Sequence, residues 1–161
     1  MLVSYLHRRL GPAALALGLA LALSACASKN ADDLADGGRA TPGSAKDFTV
    51  NVGDRVFFET DSADLTAQAQ AILNRQATWL SKYSRYAVMI AGHADERGTR
   101  EYNLALGARR AAAVRDYMIA RGVSAARMRT ISFGKERPVA VCDNISCWSQ
   151  NRRSVTVLEG G

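Results

Sequence analysis

The run Tyr86-Ala-Val-Met-Ile-Ala91, closed by Gly92, constrains the fold more than any other segment, because its six residues are nearly all apolar. A run this short and this uniform predicts an inner strand covered on both faces. It lies between two stretches of helical periodicity. In the first, Asp64-Leu-Thr66 offers helix-start chemistry, and Ala69, Ile72, Leu73, Ala77 and Leu80 recur at helical spacing through about Lys82. In the second, from about Arg100 to Arg121, the stripe is Leu104, Gly107, Ala111, Val114 and Met118, with Gly122 placed to close the helix. Phe48-Thr-Val50 and Arg55-Val-Phe-Phe58 read as short strands joined by Asn51-Val-Gly-Asp54. Arg129–Phe133 and the alternating Ser154–Leu158 supply two more strands. The expected order is β-α-β-α-β-β, an α+β single domain over 48–159 with helices packed on a mixed sheet.

Ahead of it lies a different texture. Residues 1–9 carry His7, Arg8 and Arg9 and no acid, and Leu10–Leu23 is an apolar stretch of fourteen residues. A spanning helix needs roughly 20, so residues 1–25 have the layout of a signal peptide. The stretch ends Leu23-Ser24-Ala25-Cys26, which resembles a bacterial lipobox. That resemblance implies acylation of Cys26, palmitate included. With Ala27 rather than Asp next in line, it also implies an outer-membrane, periplasm-facing destination. Residues 26–47 are rich in Gly, Ala, Ser and charge, hold Leu34 as their single large aliphatic residue, and read as a flexible linker. Fully extended, its 21 residues after Cys26 reach ~70 Å, against an r.m.s. span of ~25 Å.

The 161 residues are 48% hydrophobic and 22% charged, which excludes collagen-like, wholly disordered and polytopic membrane classes. A net charge of +6 admits an anionic partner without choosing one. Cys142 and Cys147 are separated by four residues, not by the two of a redox pair or zinc knuckle. In an exported chain a disulfide between them is expected over free thiols. His93 and Asp95 fall short of a metal ligand set, so no metal or other cofactor is expected.

The most loaded segment follows the inner strand: Gly92-His-Ala-Asp-Glu-Arg-Gly-Thr-Arg-Glu-Tyr-Asn-Leu-Ala-Leu-Gly-Ala-Arg-Arg-Ala111. Ligand sites in α/β folds favour the carboxyl ends of strands, and Asp95 lies just past one. These twenty residues resemble the signature of the peptidoglycan-associated lipoprotein (Pal) family of the OmpA-like domain superfamily. Val52-Gly-Asp-Arg-Val-Phe-Phe, Ile131-Ser-Phe-Gly-Lys-Glu-Arg-Pro138 and Asn151-Arg-Arg-Ser-Val155 extend the likeness over the folded part. The resemblance implies that Asp95 and Arg110 hold the diaminopimelate of a peptidoglycan stem peptide. A zwitterion of that kind suits opposite charges in a shallow pocket, with Arg110 as the carboxylate ligand. It further places ligand contacts at Thr60, Asp61, Arg97, Asn103 and Leu106. An aromatic residue commonly precedes the position of Asp61 in that family. Here Glu59-Thr60 stands there, which puts the pocket's stacking wall in question.

Each of these residues has a plainer reading. Asp95 can cap its loop, Arg97 can pair with Glu96 or Glu101, and Asn103 fits a structural hydrogen-bonder better than a ligand. Arg110 can be a solvated helix arginine like Arg109. By resemblance the chain is a non-enzymatic tether between outer membrane and cell wall, with TolB and other Tol components as further partners in envelope integrity and cell division. The opposing class is a membrane-attached peptidoglycan-cleaving enzyme using Asp61 and Asp95 as its carboxylate pair. Nucleic acid is not an expected partner: the chain is exported, and no stacking aromatics interleave with Arg97, Arg100, Arg109 and Arg110.

Overall fold

The computed structural model describes residues 40–160. The expected signal peptide, Cys26 and the linker up to residue 39 lie outside them.

A short helix α1 (Ala45–Asp47) runs into a π-helical turn (Phe48–Gly53). Then come strand β1 (Arg55–Phe57), helix α2 (Ala67–Lys82), strand β2 (Ala87–His93), helix α3 (Arg100–Ala120), a 3-10 turn (Ala125–Arg127) and strand β3 (Met128–Gly134). Helix α4 (Ile145–Asn151) and strand β4 (Arg153–Glu159) complete the body. The sheet is mixed, in order β1-β4-β2-β3, with β2 parallel to β3 and antiparallel to β4. The α+β arrangement of helices on a mixed sheet is as expected.

Helix α2 begins where the sequence places it, because Thr66 accepts a hydrogen bond from the Ala69 amide at 3.1 Å and satisfies one free N–H of the first turn. Val56, Val88 and Ile90 point to one face and are buried with Leu73, Leu80, Val114 and Met118. The other face is only partly covered, where the apolar run predicted full cover: Ala91 is buried, but Met89 is half-buried, and Phe57 and Val157 remain 45% and 38% exposed. Helix α3 lies unusually close to β2. A Cβ on Gly92 would overlap the Gly107 carbonyl oxygen, and one on Gly107 would run into the Ser132 hydroxyl. Only hydrogen at both positions permits that approach.

Two further expectations are corrected. Phe48–Val50 is helical, not a strand. Ser44 accepts from the Asp47 amide at 3.1 Å, and Thr49 Oγ1 and Asn51 Nδ2 bond back to Ala45 and Asp47. These local bonds compete with strand formation. Phe48 is then buried against Trp79, ring centroids 4.9 Å apart. The chain is also already packed before residue 48. The Gly43 carbonyl accepts from Tyr86 Oη at 3.0 Å and Arg85 Nη2 at 2.6 Å, and Asp47 accepts from Trp79 Nε1 at 2.8 Å. Residues 43–47, read as linker, thus belong to the folded body. Ahead of the last strand, helix α4 forms behind the Asn144 cap, and Cys142–Cys147 is a disulfide as expected, Cα–Cα 5.6 Å.

Candidate functional site

The carboxyl end of β2 feeds the loop 94–99. Thr99 caps α3 by accepting from the Tyr102 amide at 3.2 Å. Asn103 is buried and donates through Nδ2 to the Arg97 and Thr99 carbonyls at 2.7 and 3.0 Å, so it shapes the loop. Gly98 turns the chain at φ +84°, and Lys135 Nζ donates to the Glu96 and Gly98 carbonyls from outside. Asp61, across the opening, is a non-glycine residue at φ +56°. Aspartate tolerates that conformation better than most side chains.

These elements enclose a cleft of about 270 Å³ lined by Thr60, Asp61, Asp95, Arg97, Gly98, Tyr102, Asn103 and Leu106. Six of the seven residues singled out as binding candidates therefore line one cavity. Arg110 does not. It is fully buried, and its Nε, Nη1 and Nη2 donate to the carbonyls of Ser62 (2.8 Å), His93 (2.8 Å) and Glu59 (3.1 Å). It fastens the 59–62 loop to the end of β2. The expected carboxylate ligand is a buried strut, because guanidinium satisfies three converging carbonyls as few side chains can. Burial, and the nearby charge of Arg152, lower its pKa to about 10, with Asp95 and Asp61 acting in the opposite sense. It remains a cation.

The exposed guanidinium of the cleft is Arg97. Its Nε and Nη2 hold Asp95 at 3.0 and 2.7 Å, its Nη2 reaches Thr60 Oγ1 at 3.5 Å, and its side chain is 40% exposed. Among the described residues its Nη1 has no hydrogen-bond partner, so two N–H groups stay available. It pairs with Asp95, not with Glu96 or Glu101. Burial would raise the Asp95 carboxyl, but the bonds from Arg97, aided by Arg152, outweigh it and hold the pKa below the ordinary carboxylate value.

Sequence reasoning missed three contributors. Arg152 is buried, donates to Phe58 O at 3.0 Å and lies 3.4 Å from Asp95 Oδ2; it stands inside the quoted Asn151-Arg-Arg segment, but nothing in that segment says which arginine turns inward. Tyr102, 45% exposed, donates its hydroxyl to Asp61 and gives the cleft an aromatic surface where Glu59-Thr60 lacks one. Trp148 of α4 stacks on the Arg97 guanidinium, 4.2 Å from the ring centroid. Nearby, His93 is buried beside Arg153 and Arg137. Burial and those charges drop its pKa to about 4, which keeps the imidazole neutral. Among the described residues no three His, Cys, Asp or Glu side chains gather as a metal set.

The OmpA family model matches residues 57–152. A peptidoglycan-associated lipoprotein of Rhizobium meliloti (strain 1021) is 67% identical over 155 residues, covering 92% of this chain and 88% of that protein. One from Pseudomonas aeruginosa is 42% identical over 156 residues, covering 88% and 92%. The crystal structure of the peptidoglycan-associated lipoprotein from Burkholderia pseudomallei superposes with a TM-score of 0.64 at 43% identity, over 66% of this chain and 90% of that one. The C-terminal domain of Helicobacter pylori MotB, at 23% identity and a TM-score of 0.63, over 67% of this chain and 85% of that one, shares the fold. By sequence and by architecture, the chain belongs to the OmpA family and, within it, to the peptidoglycan-associated lipoproteins.

Proposed function

We propose that the chain is a non-enzymatic lipoprotein that binds peptidoglycan non-covalently through the diaminopimelate of its stem peptides. The observation that carries this reading is the cleft itself, where Asp61 and Asp95 meet an exposed guanidinium within about 270 Å³. A zwitterionic branch carries an ammonium and a carboxylate. The aspartates accept from the first, and the free Nη1 of Arg97 donates to the second. Arg110 and Arg152 beneath the floor add positive potential and hold the loops. The names of its relatives associate them with peptidoglycan, which supports the same assignment.

Each charge-assisted bond contributes roughly 1.5–3 kcal/mol, so a single small cleft grips modestly. Acylation at Cys26 in the outer membrane, with the linker behind it, confines the domain near the wall and multiplies weak contacts. TolB and other Tol components are the further partners in this reading. The enzymatic alternative through Asp61 and Asp95 has less to rest on. A glycosidase acid needs a carboxyl with a raised pKa, and that of Asp95 is lowered by two guanidinium groups.

The test is cell fractionation with peptidoglycan cosedimentation of the full chain. Asp95→Asn and Arg97→Ala are expected to leave the wall pellet, and Cys26→Ser to leave the membrane fraction. Undiminished cosedimentation of both cleft variants places the site elsewhere. New reducing ends released from the wall by the wild-type chain favour the enzyme.

A further inference from the structure

Trp148 is the one large aromatic side chain of α4, and α4 is pinned at both ends. At its start, the Cys142–Cys147 disulfide ties the residue next to Trp148 to the preceding loop. At its end, Asn151 accepts from the Val139 and Ala140 amides at 2.8 and 3.2 Å and donates to the Ala140 carbonyl at 2.8 Å. Between the pins, Trp148 reaches two consecutive residues of the cleft loop. Its indole Nε1 donates to Glu96 Oε1 at 2.5 Å, and its ring carries the Arg97 guanidinium 4.2 Å from the centroid. A long, flexible arginine loses rotamer freedom at any site it serves. A half-exposed arginine gripping a carboxylate at one end gains direction from a fixed ring beneath it. The sequence places these partners 51 positions apart, and neither the disulfide nor the ring is needed to close the hydrophobic core, whose cluster includes none of them.

We infer that Trp148 is a positioning residue for ligand capture: the disulfide-pinned α4 holds its ring under Arg97, and so fixes the guanidinium that presents Nη1 to a ligand carboxylate. The inference rests on the peptidoglycan reading for the ligand, not for the geometry. Because one pin is a disulfide, reduction removes that restraint on α4 and leaves the Asn144 cap, the Asn151 clamp and the direct run into β4 to orient the helix.

The test uses the full chain in detergent micelles, with a purified disaccharide–tripeptide muropeptide ending in diaminopimelate as probe. Two readouts are taken: affinity by titration, and the Arg97 Nε–H resonance by NMR without ligand. Trp148→Ala is expected to weaken binding about two- to fivefold and to move the Arg97 resonance towards that of a solvated side chain. Trp148→Phe, which keeps a ring but loses the N–H, restores most of both. In an Arg97→Ala background, Trp148→Ala produces no further loss of affinity. Equal losses in the two backgrounds, or an Arg97 resonance indifferent to Trp148, overturn the inference. A wild-type chain that does not bind the muropeptide, while its Arg97 resonance still depends on Trp148, overturns the peptidoglycan reading and leaves the positioning role standing.

Discussion

Asp47 and Asp95 stand at opposite ends of β2, each a carboxylate held below its ordinary pKa, and they are held by different kinds of donor. Asp47 accepts from the Trp79 indole, the Gly43 amide and the Asn51 side chain, all at 2.8 Å. Two of these donors are fixed, the indole by the core and the amide by the backbone, and all three are neutral. Asp95 is held chiefly by Arg97, whose guanidinium is charged, long and 40% exposed, with Arg152 behind it. The first arrangement is made of neutral donors, two of them fixed, around a half-buried carboxylate. The second is exchangeable, because a ligand ammonium can replace part of what Arg97 supplies while a ligand carboxylate takes its free N–H groups. On the proposed reading, what separates the structural Asp47 from a ligand-binding Asp95 is the mobility and charge of the donors, not the carboxylate or its pKa.

The largest effect expected from this contrast concerns Arg110, which is a cation held by fixed backbone partners. Arg110→Met takes the guanidinium from the carbonyls of Ser62 and His93, at about 1–3 kcal/mol each, while the Glu59 carbonyl still accepts from the Ser62 amide at 3.3 Å. Urea unfolding should report a loss of at least about 2 kcal/mol; a loss below about 1 kcal/mol breaks the distinction by moving Arg110 among the exchangeable groups. An intermediate effect is expected at the other end. Asp47→Ala removes three hydrogen bonds and should cost about 1–2 kcal/mol, with cosedimentation on peptidoglycan unchanged. Weakened cosedimentation at full stability would show that the two ends are not independent.

The remaining expectation is a pH dependence. The His93 pKa is lowered in the fold to about 4 from 6.5, so the unfolded chain takes up its proton first. Stability should therefore decline as pH falls from about 6.5 to about 4 and then level off as far as His93 is concerned. Asp47 and Asp95, whose folded pKa values lie below 3.8, contribute stability that is present above that pH and lost as pH falls through those values. His93→Gln should flatten the upper limb of a thermal melt series and leave the lower one. A limb that survives the substitution assigns it to another group.

Much of this body was legible in the sequence, for reasons that can be named. Thr66, Leu73 and Leu80 announced α2 because capping and helical spacing are local properties. The candidate residues 60, 61, 95, 97, 103 and 106 line one cleft because their selection rested on a motif and a family likeness in register. What escaped was decided by tertiary contacts. Phe48 reads as a strand residue until Trp79 offers it a place. Residues 43–47 read as linker because their anchors, Trp79, Arg85 and Tyr86, lie more than thirty positions away. Arg110 and Arg152 could not be told from surface arginines, since burial of a guanidinium depends on carbonyls that converge only in the folded chain. Trp148 is silent for the same reason: its partners lie some fifty residues upstream.

The N-terminal strap at Gly43 and the charged cleft sit at the two ends of β2, roughly 20 Å apart along seven strand residues. A pull between a membrane anchor and a gripped wall fragment would run lengthwise through that strand. Its hydrogen-bond ladders to β3 and β4 would then be loaded side by side, in shear, rather than peeled one rung at a time. On the proposed reading, a weak grip at the cleft would then let go before the fold does.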